Sequence, residues 1–366
     1  MIRKIVVLIS ISFLLVFACS GDTNSPSSQS SDTVWEQKSQ MLTNWADNFI
    51  IPNYQNLSGK LNDLEISIIN FISDTNTTTL EIVRNNWLDA YMSWQHVEMF
   101  NIGPAEQIFY NSKMNVYPTS VENIEALIAS GDFSNLDNSP YNSSQGFPAL
   151  DYLLYSVADD DSEIISLYNS NSNYSNYLIE IINRMVSNTN YVLSEWDGFR
   201  INFISSVENT ATSSANKMTN DFIYYYEKGF RSNKFGIPVG IFSAGNIYPE
   251  KVEAFYKRDV SGLLALEAIN AIKLFFNGNG SYSLKQFIDN FATNNMSTLS
   301  SQINSQFNLA ENSIQELNPN FSTQLNENSL EMAITYDVIQ VGTVLLKTDM
   351  LTVLQIATDY VDADGD

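Results

Sequence analysis

Three carboxylates stand where the local pattern calls for apolar residues. Glu98 falls four residues after Trp94 and seven after Tyr91, on the aromatic face of a helical stretch. Glu267 follows Val260 by seven and Leu263 by four, and Asp349 follows Leu345 by four and precedes Ile356 by seven. A carboxylate turned inward is costly unless it finds a cation, a metal or a proton. Three such acids on three long helices could converge on one cleft; each could equally pair with Arg84, Arg184, Arg231, Lys251 or Lys347. The single histidine, His96, lies two residues after Trp94, roughly opposite the apolar stripe, which places it at the surface or between helices. One histidine excludes His-rich zinc sites, two-His metalloprotease helices and a conventional Ser/His/Asp triad with a histidine to spare.

Other signatures of chemistry are incomplete or absent. The C-terminal run from Asp359 to Asp366 contains the D-x-D-G-D opening of a calcium loop, but the chain stops before the closing bidentate Glu, so it reads as a solvated acidic tail. There is no glycine-rich phosphate loop and no G-x-S-x-G elbow. Asp and Glu number 41 against 18 Lys and Arg, a net charge of −23, with no basic cluster after Lys4. Nucleic acid and anionic lipid surfaces are poor partners for such a chain, and cations and basic molecules better ones.

The elements that must position these residues are helices. Leu80, Val83, Trp87, Tyr91, Trp94 and Val97 step by three and four along one helical face. Leu178, Ile181, Ile182, Met185, Val192 and Leu193 repeat the spacing, as do Val260, Leu263, Leu264, Ala271 and Leu274, and then Leu330, Ala333, Val341, Val344, Leu345 and Leu351. No stretch of comparable length alternates with period two, so the expected fold class is all-α, built of long helices joined by Asn/Ser/Gly-rich connections. Residues 159–173 and 277–283 read as polar turns. Residues 130–146 end in, and 231–249 contain, a Gly-apolar-Pro-apolar step, Gly146-Phe147-Pro148-Ala149 and Gly236-Ile237-Pro238-Val239, where Pro suits a first helical turn or a fixed extended segment. This echo, one in each half, predicts two packed helical bundles, 34–198 and 199–366, with a boundary near the break at Trp196-Asp197-Gly198.

Ahead of them, Arg3 and Lys4 precede an apolar or small run from Ile5 to Ala18, the layout of a secretory signal and too short to span a membrane. Val16-Phe17-Ala18-Cys19 resembles a lipobox, which predicts a signal peptide over 1–18 and lipidation of Cys19, with the membrane as the partner of that anchor. Cys19 is the only cysteine, so a chain lipidated there has no thiol left for a disulfide or a metal. Residues 19–33 are polar and read as a flexible tether. Ser20, in place of the Asp that favours inner-membrane retention, points to the outer membrane of the cell envelope.

Four stretches together resemble the imelysin-like family. They are Trp87-Leu88-Asp89-Ala90-Tyr91-Met92-Ser93-Trp94-Gln95 with Glu98, Phe100, Gly103 and Pro104; Gly146 to Leu154; Phe235 to Gly240 with Pro249 to Ala254; and Lys347-Thr348-Asp349-Met350-Leu351. The resemblance implies two helical bundles with a functional cleft at their junction. Its hallmark G-x-H-x-x-E, proposed to bind metal, aligns with Gly146-Phe147-Pro148-Ala149-Leu150-Asp151. Gly is kept, His has become Pro148, which has no side-chain ligand atom, and Glu has become the shorter Asp151. Loss of the His weighs against metal-assisted hydrolysis. The expected function is therefore non-enzymatic binding of a cation or small ligand in envelope iron handling, with a site drawn from Gly146, Pro148, Asp151, Glu98, Glu267 and Asp349. Glu98, Asp151 and Asp349 would hold a hard cation such as iron or calcium. The alternatives are an imelysin-type metallopeptidase and an adaptor for an outer-membrane iron-uptake receptor.

Overall fold

The computed structural model describes residues 31–292 and 296–360. Cys19, the signal peptide, most of the tether and the last six residues of the acidic tail lie outside them. The described residues are mostly helical, with no strand among them, as the periodicity predicts.

One group of helices comprises Ile51–Ser73, Thr77–Trp94, Gly146–Tyr155 and Ser172–Ser205, the first packing along both the second and the fourth. A second group comprises Ser214–Tyr224 with its continuation Tyr225–Gly236, then Ser261–Asn277, Leu299–Gln315 and Phe321–Val344. Helix Ser31–Asn44 packs on members of both groups and begins inside the stretch expected to be tether. The groups share one apolar core. Phe275 marks their seam: Trp45 stacks on it at 4.9 Å, and Phe222 and Phe100 lie 5.3 and 5.5 Å away.

The aromatic stripe of Thr77–Trp94 is buried as its spacing requires; Leu80, Val83, Trp87, Tyr91, Trp94 and Val97 have no exposed surface. Elsewhere spacing misled. In Phe321–Val344 the expected stripe residues Leu330, Val341 and Val344 are exposed, and Met332, Thr335, Tyr336 and Ile339 face inward. Apolar residues lie on every side of that helix, so periodicity selects no face. Leu263 and Leu274 are exposed too.

Two connections also differ from expectation. Residues 159–173 contain the helix Asp161–Ser170, started by Asp160, whose side chain accepts the Glu163 N–H while Glu163 accepts the Asp159 N–H; an Asp three residues before a Glu is a helix-start signal. Helix Ser172–Ser205 runs unbroken through Trp196-Asp197-Gly198, so the chain first leaves it at Ser206. Gly198 is tolerated there as a helical residue with open space around it.

Candidate functional site

The altered G-x-H-x-x-E segment opens helix Gly146–Tyr155. Gly146 has φ +76°, and a Cβ there would lie 2.1 Å from the Met114 carbonyl oxygen, so only glycine fits. Pro148 sits in the first turn, where no N–H is needed. Asp151 is 1% exposed, and its carboxylate accepts the backbone N–H groups of Tyr256 and Lys257, both at 2.8 Å. Burial raises its pKa to about 7 against the opposing pull of those two N–H groups and Lys257. The carboxylate thus ties the first helix group to the 249–260 loop of the second, and both its oxygens are occupied.

The remaining predicted acids do not join it. Glu267, on Ser261–Asn277, pairs with His96 in the turn after Thr77–Trp94, which holds its pKa below the usual carboxylate range, and Asn270 also donates to it at 3.5 Å. Asp349 is part-buried in the helical turn Leu345–Met350. Among the described residues no three His, Cys, Asp or Glu side chains gather closely enough to hold a metal ion. Glu98, Asp151 and Asp349 therefore do not form the three-carboxylate cation site expected of them. Their spacing put each acid on an inward face of its own helix but could not say which helices meet.

Of the predicted acids, Glu98 alone lies in an unusual setting. Its Oε1 accepts from Asn115 Nδ2 at 3.2 Å, and the same amide donates to Glu253 Oε1 at 2.9 Å. Glu253, 2% exposed, pairs with the equally buried Lys234, whose Nζ also donates to Gln95 Oε1 at 2.9 Å. Tyr91 donates to Asn115 Oδ1 at 2.6 Å and stacks on Phe147 at 4.5 Å. Gln95, Asn115, Lys234 and Glu253 make a buried polar centre that draws on both helix groups. Burial raises the Glu98 pKa to about 7, helped by nearby Glu253 and opposed by Lys234 and Asn115. The second oxygen, Oε2, is buried with no hydrogen-bond partner. Trp94 Nε1 and Tyr225 Oη lie close to this carboxylate without reaching hydrogen-bonding geometry.

Glu98 lines a cavity of about 210 Å³. Its walls carry three more buried oxygens without partners, Asn111 Oδ1, Asp221 Oδ2 and Tyr225 Oη. The cavities beside Asp151 and beside His96 carry none. Burial raises the Asp221 pKa to about 8, with Asp359 and Glu106 adding to the rise and Lys217 opposing it.

Tyr225 and Lys234 lie on Tyr225–Gly236, a twelve-residue π-helical run whose wide turns also bury Glu227 and Arg231. Glu227 is the acid that gathers the basic residues offered above to Glu98 and Asp349: Arg231 at 3.7 Å and Lys347 at 3.1 Å, with the Tyr360 hydroxyl at 2.8 Å. Arg84 instead pairs with Asp161, and Arg184 with Asp137 and Glu180. Sequence reasoning missed Asn115, Tyr225, Lys234 and Asp221. π-helical register does not follow the 3.6-residue pattern, and Asn115 lies in an irregular segment with no periodicity at all. Glu253 stood inside a stretch quoted for the resemblance, the one signal that pointed to it.

An all-helical protein is the class the fold defines, and the comparisons agree on that fold. The chain belongs to the Imelysin (peptidase M75) family, whose pattern it matches over residues 50–343. It is similar to an imelysin-like protein from Psychrobacter arcticum 273-4, with a TM-score of 0.72 at 17% identity, covering 89% of this chain and 98% of that one. It is also similar to a structure assigned as an iron-regulated protein A precursor from Parabacteroides distasonis, with a TM-score of 0.69 at 17% identity, covering 88% and 95%. Iron-regulated protein A of Synechococcus elongatus is 22% identical over 120 residues, which span 33% of this chain and 32% of that protein. The matched part is thus about a third of that relative's length. At these identities the structural likenesses establish the fold.

Proposed function

We propose that this protein is a non-enzymatic binding protein of the cell envelope, anchored through Cys19, that takes a cation or small ligand beside Glu98 as part of iron handling. The observation that carries the reading is the Glu98 carboxylate: its Oε2 is buried without a hydrogen-bond partner in the wall of a pocket of about 210 Å³ that opens to solvent. Buried polar atoms without partners are rare in folded proteins, and four in the walls of one cavity suit a place that something else completes. Two facts favour binding over hydrolysis. Pro148 offers no ligand atom where the family motif has His, and both Asp151 oxygens are taken by backbone N–H groups. The link to iron rests on the names of the relatives, and the envelope location on the lipobox-like Val16-Phe17-Ala18-Cys19.

The test is a set of thermal melts of the purified full chain and Glu98→Gln with ferric iron, calcium and small organic cations. A rise in melting temperature with at least one of these in the wild type, lost in Glu98→Gln, is expected. No Glu98-dependent rise with any of them, or chelator-sensitive cleavage of an unstructured protein, overturns the reading.

A further inference from the structure

Helix Phe321–Val344 buries Met332, Thr335, Tyr336 and Ile339 and turns a second set of apolar side chains outward. Leu330, Ile334, Val341 and Val344 are 67, 50, 49 and 48% exposed. At about 100° and 1.5 Å per residue these four share roughly 80° of the helix circumference and run about 20 Å along its axis, one continuous stripe. Val338 and Leu345, part-buried, lie along its edge. The neighbouring helix Leu299–Gln315 shows solvent a mostly polar face instead, with Gln302, Ser305, Asn308 and Asn312 exposed. Single exposed apolar residues are ordinary on a protein surface, but a row of them on one helix marks a surface that something covers.

The charges on the helix say what kind of partner covers it. From Phe321 to Leu354 the acids are Glu327, Glu331, Asp337 and Asp349, and the one base, Lys347, is turned to the buried Glu227. Asp337 is exposed within the arc of the stripe, and Glu327 and Glu331 are exposed at its N-terminal end. A second copy would set these acids against acids, and an anionic lipid surface would be repelled by the same charges. Helices that settle into a bilayer surface carry Trp or Phe and Lys or Arg, and the stripe has neither an aromatic nor a basic residue. The chain itself offers little cover: residues 19–30 contain no Leu, Ile, Val, Phe, Tyr or Trp, and residues 361–366 hold Val361 among acids.

We propose that this stripe is the docking surface for an amphipathic helix of a partner protein. Its apolar side lies along Leu330, Ile334, Val341 and Val344, and the Lys or Arg residues bordering that side meet Glu327, Glu331 and Asp337. The surface is independent of the Glu98 site, and loss of either leaves the other standing.

The experiment is fluorescence anisotropy of the purified full chain with three synthetic helical peptides: an amphipathic one of leucine and lysine, its leucine-glutamate counterpart, and a glutamine-lysine peptide with the charge of the first. The leucine-lysine peptide is expected to bind, less tightly as salt rises, and the other two not. Ile334→Gln combined with Val341→Gln should weaken binding roughly tenfold or more, and Asp337→Lys should weaken it as well. Ile66→Gln, at a residue 58% exposed on helix Ile51–Ser73, should leave it unchanged. Circular dichroism identifies any variant that fails to fold; Leu330→Gln then replaces it. No binding of the leucine-lysine peptide, equal binding of the glutamine-lysine peptide, or equal weakening by Ile66→Gln overturns the inference. A dimer in sedimentation that the double variant abolishes would assign the stripe to a second copy, and flotation with zwitterionic vesicles that it abolishes would assign it to lipid; either overturns the inference too.

Discussion

At the scale of single residues, four inward-facing acids with different partners are expected to respond differently to changes in charge or pH. Glu253 has a buried cation, Lys234, so Lys234→Met should leave an uncompensated charge and cost about 3 to 5 kcal/mol in chemical denaturation. Asp151 accepts two backbone N–H groups. Asp151→Asn keeps one acceptor and turns an NH2 toward the other N–H, so it should cost about 1 to 3 kcal/mol and loosen the 249–260 loop, seen as faster amide exchange at Tyr256 and Lys257. Glu98 and Asp221 have pKa values raised to about 7 and about 8, chiefly by burial. The folded protein keeps these protons at a pH where the unfolded chain has released them, so each contribution is full below the ordinary carboxylate range and is lost as pH climbs through the folded value. The empty protein should therefore lose stability between about pH 5 and pH 8, on the order of 1 to 3 kcal/mol per group. Urea melts across that range check it, and a flat or rising profile would show that these acids are already ionised and paired.

At the scale of elements, the helix bearing the altered motif is fixed by backbone contact. Gly146→Ala would force a Cβ against the Met114 carbonyl at a positive φ and should cost roughly 3 kcal/mol or more, with loss of soluble protein as the simplest readout. Helices were legible in the sequence where one face is apolar and the other polar. Thr77–Trp94 is the clear case, and Glu98, one turn beyond it, was found by extending that register. Where apolar residues surround a helix, as in Phe321–Val344, the spacing named Leu330 and Val341 as core although both face solvent. The acids of such helices were misplaced with them: Asp349 was given an inward register that joins it to no site. The π-helical run 225–236 was illegible for a different reason. A wider turn moves residues off the 3.6-residue pattern, so Lys234 and Tyr225 reach the same centre as Glu98 with no periodic signal.

At the scale of the whole molecule, the polar centre exists only because two helix groups meet. Gln95 and Asn115 come from one group, Lys234 and Glu253 from the other, and no stretch of sequence holds all four. Of the stretches quoted for the imelysin resemblance, Gly146–Leu154 belongs to the first group and Pro249–Ala254 to the loop packed on it, and the G-x-H-x-x-E emphasis fell on Asp151, which here joins the two through the Tyr256 and Lys257 N–H groups. The proposed anchor is tested separately: if Cys19 is lipidated, Cys19→Ser should leave the helical circular dichroism unchanged and move the protein out of the membrane fraction, because acyl chains supply about 0.8 kcal/mol per buried methylene. Persistent pelleting in high salt would contradict lipidation at that residue. The central claim is that the Glu98 carboxylate, with its Oε2 lacking a hydrogen-bond partner, is where a ligand binds. Its most direct test is the melting temperature at pH 8 of wild type and Glu98→Gln, each empty and with added calcium, ferric iron or small organic cations. The account predicts that the empty mutant melts higher than the empty wild type and loses the rise that at least one of these cations gives the wild type; a mutant that melts lower, with no cation-dependent shift in either protein, would contradict it.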